Sequence, residues 1–227
     1  MSEKLNSGPL LASTLLEAKN LSHNFDYELF KNINLKLEKK EKIAIIGTSG
    51  SGKSTLLNIL SSLLKPTSGN VVFQNEDLYS LKQNELLKIR RDDFGIIFQA
   101  HYLFRGFSAM ENLNIATLLS HTDIDLQLLK DLAITHVLNQ GVGELSGGQQ
   151  QRLSIARILM KKPKIIFADE PTGNLDKDTS KVVMNTLFDY VEKNSAGLIL
   201  VTHEEELAFK CDKVYKLIDL ELVEMKC

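Results

Sequence analysis

The sequence lacks tryptophan and has only two cysteines, Cys211 and Cys227, among 227 residues. Two cysteines form neither a disulfide framework nor a zinc-ligand pattern, so a reducing compartment is the default expectation. Uninterrupted apolar runs are also scarce and short, as at residues 165–168 and 198–201. A bilayer-spanning helix needs about 20 apolar residues. We therefore expect no membrane span, and the first 25 residues lack the apolar stretch of a secretory signal.

Neither sign of charge dominates the chain. The sequence has 27 Lys and Arg against 29 Asp and Glu, which gives a formal charge of −2. This balance argues against a protein that holds duplex DNA on a broad basic face, and we expect no nucleic-acid partner. A content of 43% hydrophobic and 25% charged residues is typical of a globular protein.

Strand-type and helix-type patterns alternate along the chain. Apolar runs predict strands at residues 15–21, 33–37, 42–46, 71–74, 95–98, 165–168 and 198–202, and a terminal hairpin at 213–218 and 221–225. Apolar residues at helical spacing predict helices at 53–64, 112–119, 126–132, 149–161 and 179–193. The alternation predicts an α/β fold with a mostly parallel sheet and a helical insertion at about residues 100–150. Residues 1–14 are polar and irregular, and we expect them to form an N-terminal extension.

A glycine-rich loop follows the predicted strand at residues 42–46. The sequence GTSGSGKS at residues 47–54, the phosphate loop, matches the pattern G-x-x-x-x-G-K-S/T and precedes a predicted helix. Glycines let backbone N–H groups turn toward phosphate oxygens, and the helix N-terminus adds positive potential. Lys53 is expected to reach the β- and γ-phosphates, and the Ser54 hydroxyl to bind Mg²⁺. A simple glycine-rich turn is the alternative.

Two carboxylates end the apolar strand at residues 165–168. In parallel α/β sheets, ligands bind at the carboxyl ends of strands. Asp169 is therefore placed to hold Mg²⁺ through water, and Glu170 to polarise the water that attacks the γ-phosphate. An ordinary strand end with acidic residues is the alternative.

The sequence LSGGQ at residues 145–149 opens another helix. Ser146 and the two following glycines form a second small anion-binding turn at a helix N-terminus. One ATP does not need two such turns from one chain, so the second turn is explained if it closes over a nucleotide held by another copy. A serine cap with a glycine turn is the alternative.

These motifs, in this order, resemble those of the ATP-binding-cassette (ABC) ATPases over about residues 15–225. The phosphate loop is followed by Gln99, LSGGQ, Asp169 with Glu170, the sequence NLD at 174–176, and His203. The resemblance implies one ABC ATPase domain at 15–227 with the P-loop NTPase fold, an antiparallel β subdomain and a helical subdomain. It also implies a head-to-tail dimer that encloses two ATP molecules and Mg²⁺.

The resemblance implies a role for each motif residue. The expected ATP contacts are Phe25, Gly47, Thr48, Ser49, Gly50, Ser51, Gly52, Lys53, Ser54 and Thr55. The expected catalytic residues are Lys53, Gln99, Glu170 and His203, and the expected Mg²⁺ ligands are Ser54, Gln99 and Asp169. The expected contacts to the other copy's ATP are Ser146, Gly147, Gly148, Gln149 and Asp176.

Three further assignments also have structural alternatives. Phe25 is placed to stack on adenine, but it could be a core aromatic residue, and Tyr27 is close enough to compete. Gln99 could be a solvated strand-end residue. His203 could be a helix cap at a strand end.

Two segments are similar to one branch of the family. The sequences ADEPTGNLD at 168–176 and FGIIFQAHYLF at 94–104 resemble the branch that serves lipoprotein release, macrolide-type export and cell division, with lipoprotein release favoured. That resemblance implies a separate integral membrane subunit and a peripheral position on the cytoplasmic side of the inner membrane. A soluble ABC ATPase that acts on nucleic acid or the ribosome is a remote alternative. Departures at residues 120–126 and 141–143 fall where the membrane subunit is expected to dock.

Overall fold

The structure, a computed structural model, describes residues 13–173 and 175–225. Its strands are β1 (Thr14–Asn24), β2 (Glu28–Glu38), β3 (Lys42–Ile46), β4 (Ser68–Phe73), β5 (Glu76–Asp77), β6 (Phe94–Ile97), β7 (Ile165–Asp169), β8 (Gly197–Val201), β9 (Lys213–Ile218) and β10 (Glu221–Met225). Its helices are α1 (Lys53–Leu60), α2 (Gln83–Asp92), α3 (Ala109–Ser120), α4 (Leu126–Asp131), α5 (Gly147–Leu159), α6 (Lys177–Asn194) and α7 (Glu205–Ala208). Residues 1–12 of the predicted extension and Asn174 of the NLD sequence lie outside the described residues.

A six-stranded sheet in the order β10-β9-β3-β8-β7-β6 forms the centre of the fold. Strands β9, β3, β8, β7 and β6 are parallel, and β10 pairs with β9 antiparallel. Every residue of β3 and β8 is buried, as the apolar runs at 43–46 and 198–201 predict for strands covered on both faces. The predicted α/β class is confirmed.

Successive residues of β3 point to opposite faces of this sheet. Ala44 and Ile46 pack into a core shared with α3, α5 and α6. Ile43 and Ile45 pack into a second core shared with α1 and the four-stranded sheet. The central sheet is therefore held between two hydrophobic layers, which fixes the positions of its strand ends.

The second sheet is antiparallel, in the order β2-β1-β4-β5. It is joined to the central sheet by a column of phenylalanine rings. Phe94 makes edge-on contacts with Phe73 and Phe167, with ring centroids 5.0 Å apart in both pairs. Such pairs add to the stabilisation from burial, so the two sheets have a defined relative position.

Helices occupy most of the chain between β6 and β7. The loop before α3 is shaped by Asn112, whose side chain is fully buried. The Asn112 amide accepts a hydrogen bond from the Phe104 N–H at 2.9 Å and donates to the carbonyls of Phe104 at 3.2 Å and Ser108 at 3.0 Å. The Ser108 hydroxyl also caps α3 by accepting from Glu111 N–H. Among the described residues, no helix combines the length and apolar character that crossing a bilayer requires.

Helix α1 ends at Leu60, before the predicted end at residue 64. Ser62 adopts a left-handed conformation with φ of 65°, which stops helical propagation. The Arg90 guanidinium holds this turn by donating to the Ser62 hydroxyl and carbonyl. The stop signal lies 28 residues away in the sequence, so local periodicity could not show it.

Two further differences concern helices α2 and α5. Helix α2 was not predicted, because none of its residues is fully buried and the two that pack on the core, Leu86 and Ile89, are only partly buried. It is capped by Glu85, which accepts from Lys82 N–H at 2.9 Å. Helix α5 begins two residues earlier than predicted, because Ser146 acts as its N-cap and accepts from Gln149 N–H at 3.2 Å.

Candidate functional site

The carboxyl ends of four neighbouring parallel strands lie at one edge of the central sheet. β3 leads into the phosphate loop, β6 toward Gln99, β7 into Glu170 and β8 toward His203. A cavity of about 470 Å³ opens at these strand ends, a volume typical of small-molecule sites. The predicted residues that line it are Phe25, Gly47, Ser49, Gly50, Gly52, Lys53, Ser54, Thr55, Gln99, Asp169, Glu170 and His203.

The phosphate loop wraps around the ammonium group of Lys53. Its Nζ donates to the carbonyls of Gly47 at 2.9 Å and Thr48 at 2.8 Å, and the side chain is nearly buried. The hydroxyl Oγ of Ser51 is buried without a hydrogen-bond partner within the described part of the chain. The loop therefore places the positive charge of Lys53 in the cavity wall, which suits an anionic ligand.

Gly52 shows why the loop needs glycine. Its φ of +98° lies in the left-handed region, and a Cβ there would stand 2.7 Å from Leu29 Cγ. The chain thus turns sharply into α1 while packing against β2, which only glycine permits. Thr48 and Ser51, also predicted contacts, line a neighbouring cavity of about 410 Å³ rather than the main one.

The two carboxylates at the end of β7 have different backbone conformations. Asp169 ends the strand, while Glu170 has a left-handed backbone with φ of 47°, a strained conformation for a residue with a side chain. The Glu170 N–H donates to Val201 O at 2.9 Å, and Gly173 N–H donates back to Glu170 O at 3.2 Å. This tight turn holds the carboxylate of Glu170 at the cavity wall.

His203 contacts Glu170 directly. The Nδ1 of His203 lies 2.9 Å from both carboxylate oxygens of Glu170. The hydrogen bond and charge attraction from Glu170 raise the pKa of His203. The imidazole is 66% exposed and the carboxylate only 16%, so the histidine remains open to a ligand while the carboxylate is enclosed.

Aromatic rings form the outer wall of the cavity. Phe25 and Tyr27 both line it, and both are more than half exposed. His23 packs edge-on against Phe25 with ring centroids 4.8 Å apart, which supports the Phe25 ring from the protein side. The exposed face of Phe25 is thereby available to a flat ligand.

The LSGGQ residues lie apart from this cavity. Within the described part of the chain, the cavity lining includes none of the residues predicted to contact the second ATP: Ser146, Gly147, Gly148, Gln149 and Asp176. Ser146 and Gln149 exchange cap hydrogen bonds, with Ser146 N–H donating to Gln149 Oε1 at 2.8 Å. Asp176 caps α6, and its hydrogen bonds with Thr179 lower its pKa.

Sequence reasoning missed some wall residues. Leu29, Gly173 and Val201 also line the cavity. Gly173 lies close to Gln99, since a Cβ on it would stand 3.9 Å from Gln99 Nε2. Gly173 could have been predicted as a wall residue, because it belongs to the segment ADEPTG at the end of β7. Leu29 and Val201 are ordinary apolar strand residues and could not.

A parallel sheet with a phosphate loop, acidic strand end and lysine in one cavity defines a P-loop nucleotide-binding protein. The ABC transporter family model matches residues 30–173. The chain belongs to the ABC transporter family, as an ATP-binding subunit that hydrolyses ATP.

The sequence relatives support this assignment. The chain is 43% identical over 216 residues to the lipoprotein-releasing system ATP-binding protein LolD of Rickettsia felis, covering 90% of this chain and 96% of the relative. It is 45% identical over 201 residues to the uncharacterized ABC transporter ATP-binding protein MJ1508 of Methanocaldococcus jannaschii, covering 86% and 89%.

A solved structure has the same fold. The dimeric, post-hydrolysis ATP-binding cassette MJ0796, bound to ADP and phosphate, matches with a TM-score of 0.86 and 35% sequence identity. The match covers 93% of this chain and 98% of that one. The predicted ABC ATPase fold, with its antiparallel sheet and helical insertion, is confirmed.

Proposed function

We propose that this chain hydrolyses ATP as one of two copies in a head-to-tail dimer and drives a membrane subunit that releases lipoproteins from the inner membrane. The observation that carries the dimer is the separation of the two anion-binding turns within one chain. The phosphate loop lines the main cavity, whereas Ser146 and Gly147 are exposed away from it. A second copy can bring its turn to the open side of the cavity.

The cavity residues suit Mg²⁺ held jointly with the nucleotide. Among the described residues there is no cluster of three acidic, histidine or cysteine side chains that could hold a metal alone. Mg²⁺ commonly binds through one or two protein ligands together with substrate phosphates and water. We assign Ser54, Gln99 and Asp169 as its protein ligands. The ion would neutralise charge that develops on the phosphates.

The remaining cavity residues have separate roles in phosphoryl transfer. The loop amides and Lys53 hold the β- and γ-phosphates and stabilise negative charge. Glu170 orients the attacking water and accepts its proton, since its enclosed carboxylate faces the cavity. His203, hydrogen-bonded to Glu170, offers its exposed ring to the γ-phosphate, and Gln99 contacts the metal ion and the water. Phe25 packs on adenine.

An apolar groove next to the loop after β6 supports the assignment of a membrane subunit. The groove has a volume of about 380 Å³ and lies between the loop after β6 and helices α3 and α5. Phe104 and Leu119 on its wall are about half exposed. The guanidinium of Arg157 lies 5.7 Å from the centroid of the Phe104 ring. A helix-sized segment of a partner would cover these side chains.

The choice of lipoprotein release rests on the sequence relatives. The names of several relatives at about 40% identity are those of lipoprotein-releasing ATP-binding proteins. The peripheral position at the cytoplasmic side of the inner membrane follows from that assignment.

The test is purification of the complex from detergent-solubilised membranes, followed by reconstitution in proteoliposomes. We expect a membrane subunit to co-purify and ATP to release a lipid-anchored protein from the vesicles. Leu119→Asp should abolish co-purification, while Val223→Asp on the distant β10 should not. A membrane subunit that moves a small molecule, or that only regulates a periplasmic enzyme, would replace lipoprotein release with the macrolide-type or cell-division alternative. Ribosomes or nucleic acid in place of a membrane subunit would contradict the proposal.

A further inference from the structure

His101 links the loop after β6 to the start of helix α5. Its Nε2 lies 3.0 Å from the carbonyl oxygen of Gly147, which can only accept a hydrogen bond, so Nε2 carries the proton. The backbone carbonyl of His101 accepts a second hydrogen bond from the Ser154 hydroxyl at 2.9 Å. Side chain and main chain of one residue thus hold the same helix at points seven residues apart.

The two ends of this link are next to functional residues. His101 stands two positions after Gln99, which lines the nucleotide cavity of this chain. Gly147 directly follows Ser146, whose hydroxyl caps α5 at the turn formed by residues 146–149. The hydrogen bond from His101 therefore connects the Gln99 segment to the turn that begins at Ser146.

The other side of α5 is also tied to the cavity. Gln151 is buried, and its amide donates to the carbonyl of Pro171 at 3.0 Å, one residue after Glu170. The first two turns of α5 are therefore held between the segment after β6 and the segment after β7. His101 is the contact on the Gln99 side, and its ring is half-buried.

We propose that His101 is a positioning residue that fixes the turn at residues 146–149 relative to Gln99. Through it, the nucleotide bound in one chain sets the position of the turn that this chain offers to the second copy. The inference rests on the proposed dimer, in which residues 146–149 complete the other copy's site. It assigns the coupling between the two ATP sites to a particular side-chain hydrogen bond.

A matched pair of substitutions isolates this hydrogen bond. Glutamine places an N–H donor at a reach similar to Nε2 of histidine, whereas methionine has similar size and no donor. We expect His101→Met to lower the Hill coefficient for ATP hydrolysis from about 2 to about 1 and to lower kcat by about tenfold. ATP affinity of the single chain should stay unchanged, and His101→Gln should restore both cooperativity and rate. His136→Met, on the exposed surface, serves as the control.

Other measurements separate positioning from simple stabilisation. Ser154→Ala removes the second hydrogen bond and should reduce cooperativity in the same direction without loss of folding, as checked by the Tm. Unchanged cooperativity in His101→Met would overturn the inference, as would equal defects in His101→Met and His101→Gln. A wild-type protein that shows neither cooperativity nor ATP-dependent dimers would overturn the proposed dimer together with the inference. If the wild-type protein shows cooperativity and ATP-dependent dimers but His101→Met hydrolyses ATP as the wild type does, the inference alone is overturned.

Discussion

At the scale of single residues, Glu170 shows how local strain supports a chemical role. Its backbone adopts a left-handed conformation that costs about 1 kcal/mol or more for a residue with a Cβ. Hydrogen bonds to Val201 and from Gly173 hold this turn. The carboxylate is thereby directed at His203 and the cavity rather than along the strand.

Replacing Glu170 with glutamine removes the proposed base but keeps the side-chain shape. We expect Glu170→Gln to retain ATP binding and to reduce steady-state hydrolysis by about 10²–10⁴-fold, because a general base commonly contributes that much. ATP should also trap the dimer, which size-exclusion chromatography would detect. Glu206→Gln, in the exposed start of α7, is the control. Normal turnover in Glu170→Gln would remove the glutamate from this role.

The contact between Glu170 and His203 should also be measurable in the pKa of His203. Because Glu170 raises the pKa of His203, the pair stabilises the fold at pH values below the unfolded histidine pKa of about 6.5. That contribution is lost as the pH rises through the higher folded pKa, and it is small because the ring is largely exposed. NMR should show a His203 midpoint above 6.5 that falls in Glu170→Gln. An unchanged midpoint would show that the carboxylate does not contact the ring in solution.

At the scale of elements, the helix start at the phosphate loop depends on backbone shape. Gly52→Ala places a Cβ in a left-handed conformation and against Leu29, so we expect about 1–3 kcal/mol of destabilisation and weaker ATP binding. Urea unfolding and nucleotide titration measure the two effects. Gly106→Ala is the matched control, because its Cβ would meet nothing within 4 Å. Equal stability of the two variants would refute the steric argument.

The sequence was most informative where one local pattern determines an element. The apolar residues of β3, β7 and β8 predicted buried strands almost to the residue, and the phosphate loop was recognisable from its glycines. The predicted end of α1 was wrong because the turn after the helix is held by Arg90, far along the chain. Helix α2 was missed because it buries no residue fully and is set by its cap. The His101 contact also joins distant segments, which no local spacing shows.

At the scale of the whole molecule, the proposed dimer makes the cavity and the Ser146 turn of one chain parts of two different composite sites. The turn is exposed, and within the described residues it contributes nothing to the cavity of its own chain. Each copy in the proposed dimer therefore supplies half of two sites. A defect in either half should be rescued only by the correct combination of chains.

A mixed dimer tests this arrangement. Ser146→Arg and Lys53→Ala should each abolish hydrolysis as pure proteins, the first by blocking the partner's site and the second by weakening phosphate binding. Each mixed dimer contains one site with an intact Lys53 and an intact Ser146, and one site with both substitutions. A mixed dimer should therefore hydrolyse ATP at about half the rate of a wild-type dimer. A mixture as inactive as its components would show that Ser146 does not act across the dimer. Pure Lys53→Ala at the same total protein concentration gives the background rate of hydrolysis.

The separation of the two half-sites also has a kinetic consequence. In the proposed dimer two free chains must meet to build one active centre, so the rate per chain in dilute solution should rise with protein concentration. A membrane subunit that anchors two copies replaces that encounter with a high effective concentration, whose value depends on the geometry of attachment rather than on cellular abundance. Tethering would then raise the rate of ATP hydrolysis of assembled chains far above that of unassembled chains, without any new contact to ATP.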